Sequence, residues 1–118
     1  VIAPIGIGDD GTTYNINADL VAGKMAHILQ AGKYLILTNT TGILDEKDKL
    51  IKSINADQVR KLIKKGIISR GMLPKIESAL EAVSSGVEHV QIINGTIDHS
   101  VLLELFTDSG VGTMIRRL

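Results

Sequence analysis

Tyr34-Leu-Ile-Leu-Thr38, running into Asn39-Thr-Thr-Gly42, decides how the rest of this chain is read. The run is β-rich and does not alternate between apolar and polar positions, the pattern of a strand covered by helices on both faces of its sheet. Upstream, Asp19 to Gln30 places Leu20, Val21, Met25, Ile28 and Leu29 on one helical stripe, closed by Ala31-Gly32. Before that, Val1 to Ile5 reads as a short strand, with Pro4 confining it to an edge or a strand end, and Gly6 to Thr13 reads as a turn. Downstream, Ile43-Leu44 and Leu50-Ile51 flank polar Asp45 to Lys49 and suggest a small hairpin. Asn55 is placed to cap a helix from about Asp57 to Lys65, with Val59, Leu62 and Ile63 inward and Gly66 just past its end. Ile67 to Met72 then leads into a helix whose stripe is Leu73, Ile76, Leu80 and Val83, with Pro74 in the first turn, where a missing N–H costs nothing. His89 to Ile93 is a further strand, Asp98 is placed to cap a helix through Phe106, and Thr113 to Ile115 closes the chain as a strand. This alternation of strands and helices predicts an α/β domain with a mainly parallel sheet.

Composition narrows the function. The chain has 118 residues, 44% of them hydrophobic, enough for one domain with a real core. With 13 Lys+Arg against 13 Asp+Glu and only three aromatic residues (two Tyr, one Phe), it has neither a basic footprint nor a stacking surface for nucleic acid. The absence of Cys excludes a disulfide scaffold, a Cys-ligated metal and thiol catalysis. No apolar run approaches the roughly 20 residues of a membrane-spanning helix, and the opening Val-Ile-Ala-Pro carries no basic leader segment, so a soluble protein is expected. Opening at Val1 without Met, directly on an apolar run, leads us to expect a fragment.

Several constellations bear on chemistry. Gly6-Ile-Gly8-Asp-Asp-Gly11 matches the dinucleotide pattern G-x-G-x-x-G, but no helix follows directly to receive a pyrophosphate, and Asp9-Asp10 would repel one; a hairpin turn is the better reading. No P-loop is present. Asn15, Asn17 and Asp19 alternate on the approach to an apolar helix, where they either cap it or face a ligand. Lys75 lies in the first turn of a helix, where the helix dipole disfavours a cation by roughly 0.3 to 1 kcal/mol. With the neighbouring backbone N–H groups it would make an anion site suited to phosphate; equally, it would snorkel over Leu73 into solvent. Thr38 to Gly42 lies at the carboxyl end of the central strand, where open α/β sheets bind ligands, although a plain strand-to-loop turn has the same composition. His27, His89 and His99 lack metal-ligand spacing, and Asp45 to Asp48 lacks that of a calcium loop, so no metal site is predicted.

Three segments taken together, Tyr14-Asn-Ile-Asn-Ala-Asp-Leu-Val-Ala-Gly-Lys24, Gly71-Met-Leu-Pro-Lys-Ile76 and Leu103-Glu-Leu-Phe-Thr-Asp-Ser-Gly-Val-Gly-Thr-Met-Ile115, resemble acetylglutamate kinase. The resemblance spans essentially the whole chain in order. It implies the three-layer αβα sandwich of the amino-acid-kinase (carbamate-kinase-like) fold. It also implies a cytoplasmic enzyme of arginine biosynthesis that phosphorylates the side-chain carboxylate of N-acetyl-L-glutamate with ATP and Mg2+. Residues 1–118 would be the ATP-binding C-terminal lobe, the N-terminal lobe with most of the substrate pocket and the dimer surface being absent. By resemblance Lys75 would stabilise charge on the transferring phosphoryl group, Asp19 would orient the catalytic lysines, and Asn15 and Asn17 would hold acetylglutamate. Thr38, Asn39, Thr41, Gly42 and Leu44, with Ser69, Gly71 and Met72, would frame the nucleotide; at Asn39 the chain departs from the family, which commonly has Asp there. Glu104, Gly110 and Gly112 resemble the arginine feedback site of oligomeric members. Because the other lobe supplies a second catalytic Lys and the Gly-rich phosphate loops, the isolated chain is expected to bind nucleotide weakly, to catalyse nothing measurable and to self-associate.

Overall fold

The computed structural model describes residues 1–107 and 110–117. A hairpin of β1 (Ile5–Ile7) and β2 (Thr13–Asn15) stands apart from a four-stranded sheet made by β3 (Lys33–Thr38), β4 (Ser53–Asn55), β5 (His89–Asn94) and β6 (Thr113–Arg116). The helices are α1 (Ala18–Ile28), α2 (Ala56–Lys64), α3 (Leu73–Ser84) and α4 (Ser100–Phe106), and a 3-10 turn, Arg70–Met72, leads into α3. The sheet order is β3, β5, β6, β4; β3 runs parallel to β5 and β4 to β6, while β5 and β6 are antiparallel. This is the expected α/β architecture with a mainly parallel sheet.

Register explains the layers. Tyr34, Val90, Ile115 and Ile54 stand side by side across the sheet, and two residues along, on the same face, stand Ile36, Ile92 and Thr113. All seven are buried, and the apolar ones join Ala26 of α1, Val59 of α2 and Ile76, Ala79 and Val83 of α3 in one core. Each fully buried Ile or Val contributes roughly 1.5–3 kcal/mol, so this face holds the domain together. Gln91, one residue out of phase, faces the other way and donates to Glu104 of α4 at 3.0 Å. Helices therefore pack on both faces, which makes the αβα sandwich, but β3 is an edge strand and not the expected central one: α4 lies over β5, and on that face Leu37 of β3 is 49% exposed.

Three local expectations are corrected. The first strand is Ile5–Ile7 rather than Val1 to Ile5, and it pairs antiparallel with Thr13–Asn15 outside the main sheet. Gly8 and Thr12 bond across the turn, and Gly11 has φ +80, so the glycines of the G-x-G-x-x-G match shape a hairpin. Second, β4 went unforeseen, because Ser53-Ile-Asn55 has one apolar residue and takes its strand form from pairing with β6. Third, the N-cap of α4 is His99, in the left-handed region at φ +60 and without a side-chain cap bond, so Asp98 lies outside the helix start. Asn55 caps α2 as expected: its side chain accepts from the Gln58 N–H at 2.9 Å, and Gln58 reciprocates at 3.1 Å. Leu44 and Leu50 form the bridge of the small hairpin. Among the described residues no helix is long and apolar enough to cross a membrane.

Candidate functional site

The first turns of α1 and α3 come together, although 56 residues separate Asp19 from Lys75 in sequence. Asn17 caps α1 by accepting from the Asp19 N–H at 2.8 Å, which leaves the Asp19 carboxylate free to leave the helix sideways. That carboxylate accepts from Lys75 Nζ through both oxygens, at 3.0 and 3.1 Å. The pair is three-quarters buried, with side-chain exposures of 26% and 21%, and so is less screened than a surface ion pair. The 3-10 turn and α3 both begin without a side-chain cap bond. The first N–H groups there are spent within the chain, Met72 on the Ser69 carbonyl and Leu73 on that of Arg70, and Pro74 has none, so the Lys75 ammonium is the group through which this corner could meet an anion.

Two hydroxyls brace the same corner. Ser78, one turn along α3 from Lys75, donates to the Asp19 main-chain carbonyl at 2.6 Å, and the Tyr34 hydroxyl lies 3.2 Å from Ser78 Oγ. Burial pushes the Tyr34 phenol above its usual range; the Ser78 hydrogen bond opposes this and the Asp19 charge adds to it. Tyr34 therefore keeps its proton as a donor at neutral pH. Sequence reading missed both groups, since a Tyr in a strand and a Ser in an amphipathic helix carry no mark of their meeting.

Beside this corner a cavity of about 430 Å3 opens between the loop after β3 and the chain entering α3. Of the residues expected around a nucleotide, Gly42, Leu44, Ser69 and Met72 line it, and Asp45 and Glu46 form part of its wall. Ile76, which follows Lys75 directly, lines it too. Thr41 lines a different cavity of about 230 Å3, together with Asn94, Gly110 and Gly112. Thr38 is buried and fastens Thr40 through a bond from its N–H at 3.0 Å, whereas Asn39 and Gly71 are exposed and line neither space. Asn15 sits exposed in β2. The loop is anchored by Thr113, whose hydroxyl accepts from the Ile43 N–H at 2.8 Å, and a Cβ on Gly42, which has φ +137, would stand 2.6 Å from the same oxygen.

Glu104 is buried and committed within the fold. It accepts from Lys33 Nζ at 3.2 Å, Gln91 Nε2 at 3.0 Å and the Val111 N–H at 2.9 Å. Gly110 and Gly112 have φ +55 and +91, and a Cβ on Gly112 would run into the Ile92 carbonyl, so these glycines shape the return to β6. Asp108 and Ser109, within the segment likened to an arginine site, lie outside the described residues.

Fold and corner together define the class. Residues 1–94 match the amino acid kinase family, and the chain belongs to that family. Within it the chain is 60% identical over 116 residues to the acetylglutamate kinase of Nitrosococcus oceani, an alignment covering 98% of this chain and 38% of that protein. The chain thus spans well under half the length of the curated relatives it matches. Among solved structures it resembles N-acetylglutamate synthase from Neisseria gonorrhoeae complexed with coenzyme A and L-arginine, with a TM-score of 0.90 and 35% identity over 98% of this chain and 27% of that one. The carbamate kinase from Giardia lamblia bound to AMP-PNP shares the fold, with a TM-score of 0.73 at 19% identity over 97% of this chain and 41% of that one.

Proposed function

We propose that this chain is the ATP-binding C-terminal lobe of an acetylglutamate kinase, an enzyme that moves the γ-phosphoryl group of ATP onto the side-chain carboxylate of N-acetyl-L-glutamate. The observation that carries the reading is the Asp19–Lys75 pair at the uncapped start of α3, next to the cavity lined by Gly42, Leu44, Ser69 and Met72. In-line transfer spreads negative charge over the phosphoryl oxygens, and catalysis consists largely of positioning and charge compensation. In this reading Lys75 supplies the compensating ammonium while Asp19, gripping it through both oxygens, fixes where that ammonium stands. Asp45 and Glu46 would repel a triphosphate but suit a ribose diol or an adenine amine, so the phosphates would run toward the start of α3. Asn15 and Asn17 would meet acetylglutamate from the α1 side. Mg2+ would enter with the nucleotide; among the described residues no three His, Asp or Glu side chains are grouped to hold a metal.

The test is a graft in which residues 1–118 replace the matching segment of the 60%-identical relative. Lys75→Ala should lower kcat by about 100-fold or more, with KM values little changed. An unchanged kcat would remove the role given to Lys75.

A second reading, a module that binds arginine without catalysing, is favoured by the likeness to a synthase complexed with L-arginine. Set against it is Glu104, whose carboxylate already serves three internal donors. Heat on titrating arginine into the Lys75→Ala graft, with no turnover by the parent graft, would select this second reading.

A further inference from the structure

Asp19 is held twice by one face of α3. Lys75 binds its carboxylate, and Ser78, three residues along and so on the same face, binds its main-chain carbonyl at 2.6 Å. Ser78 is almost fully buried, at 1% exposure, and has one hydroxyl proton, which it spends on that carbonyl. Its oxygen is thereby left to accept from the protonated Tyr34 phenol at 3.2 Å. One turn after Asp19, Gly23 presents bare backbone to the same hydroxyl, and a Cβ there would overlap Ser78 Oγ. The serine is therefore seated in a notch that only glycine leaves open, and it links β3, α3 and α1 at one point.

We infer that Ser78 is a positioning residue for phosphoryl transfer: by seating its hydroxyl between the Asp19 carbonyl and Gly23, it sets the axial register of α1 against α3 and so the alignment of Asp19 with Lys75. This rests on the kinase reading above. A helix that slides along its neighbour carries its side chains with it, and two charged groups held at 3.0 Å are sensitive to shifts of a fraction of an ångström. The Tyr34 hydroxyl lies 3.2 Å from the serine oxygen and 3.5 Å from the same Asp19 carbonyl, so it braces that contact, and it makes no bond to Lys75 among the described hydrogen bonds.

The experiment is a variant set in the grafted enzyme, assayed well below the unfolding temperature. Ser78→Ala should lower kcat about tenfold, the rate equivalent of one lost hydrogen bond, with both KM values held within about twofold. Tyr34→Phe, which keeps the ring and removes only the donor, should lower kcat about threefold in the same pattern. Gly23→Ala should destabilise the fold through overlap with the serine. In Gly23→Ala/Ser78→Ala the nearest remaining Ser78 atoms to the new methyl are the backbone oxygen at 3.3 Å and Cβ at 3.5 Å, so folding should return while kcat stays low. A double variant with full kcat would reduce Ser78 to a space-filling residue and overturn the inference. A second readout needs no turnover. In the 118-residue chain Ser78→Ala should move the Lys75 Cε and Hε resonances toward those of exposed lysines, and unmoved resonances would also overturn it. If the unmutated graft shows no turnover, the kinase reading itself fails; if Lys75→Ala abolishes turnover while Ser78→Ala does not change it, only the present inference fails.

Discussion

Replacing Thr113 by valine removes one oxygen and little else in shape, which makes it a sharp probe of the loop that walls the cavity. Thr113 is wholly buried in β6, and its hydroxyl accepts the Ile43 N–H at 2.8 Å. Ile43 is itself buried, at 3% exposure, so the valine leaves a backbone donor with neither protein partner nor water. Such an orphaned group costs about 1–3 kcal/mol, more than the net worth of the bond when made. For a chain of this size that corresponds to a fall in Tm of roughly 3–15 °C. Calorimetry or thermal melting followed by circular dichroism reads this directly. The Ile43 amide, slow to exchange in the parent, should exchange faster in the variant by a factor matching the local loss. The loop from Asn39 to Leu44 also loses its anchor, so any nucleotide bound in the cavity should bind more weakly. An unchanged Tm together with an equally protected Ile43 amide would refute the claim that this one bond holds the loop in place.

Further outcomes follow from the same geometry. Gly112→Ala should abolish soluble folded protein or lower its stability by several kcal/mol, since φ +91 and the Ile92 carbonyl both forbid a side chain there; near-native melting would contradict this. The Asp45 carboxylate accepts the N–H groups of Lys49 and Lys47, which holds its pKa below the usual 3.8. With the folded value depressed, the turn is stabilised above the ordinary carboxylate range and loses that support as pH falls through the lower folded value. The Lys47 and Lys49 amide shifts should therefore titrate together below pH 3.8, and a midpoint above it would reverse the sign.

What was legible in the sequence is what local pattern encodes. β3 announced itself by an unbroken apolar run, α2 by Asn55 with Gly66, and the first turn of α3 by Pro74 and an out-of-place cation. The family likeness then singled out Lys75 and Asp19, which the fold brings to 3.0 Å. What was not legible depends on contacts made across the chain. Ser53-Ile-Asn55 becomes a strand because β6 lies beside it, and nothing in its composition says so. Thr113, Tyr34 and Ser78 each look like ordinary strand or helix residues until the sheet aligns them with a loop N–H or a helix carbonyl. Glu104 was singled out by the family likeness alone, and the sequence did not show that in the fold its carboxylate meets Lys33 from 71 residues away.

The most direct measurement is an amide-correlation NMR titration of the 118-residue chain with Mg-ADP, following residues 38–44 and 67–75. The account predicts saturable shifts confined to those two stretches, weak in affinity, and lost in Lys75→Ala for the residues at the start of α3. A well-dispersed spectrum in which neither stretch moves would contradict the claim that the cavity beside the Asp19–Lys75 pair is a nucleotide site.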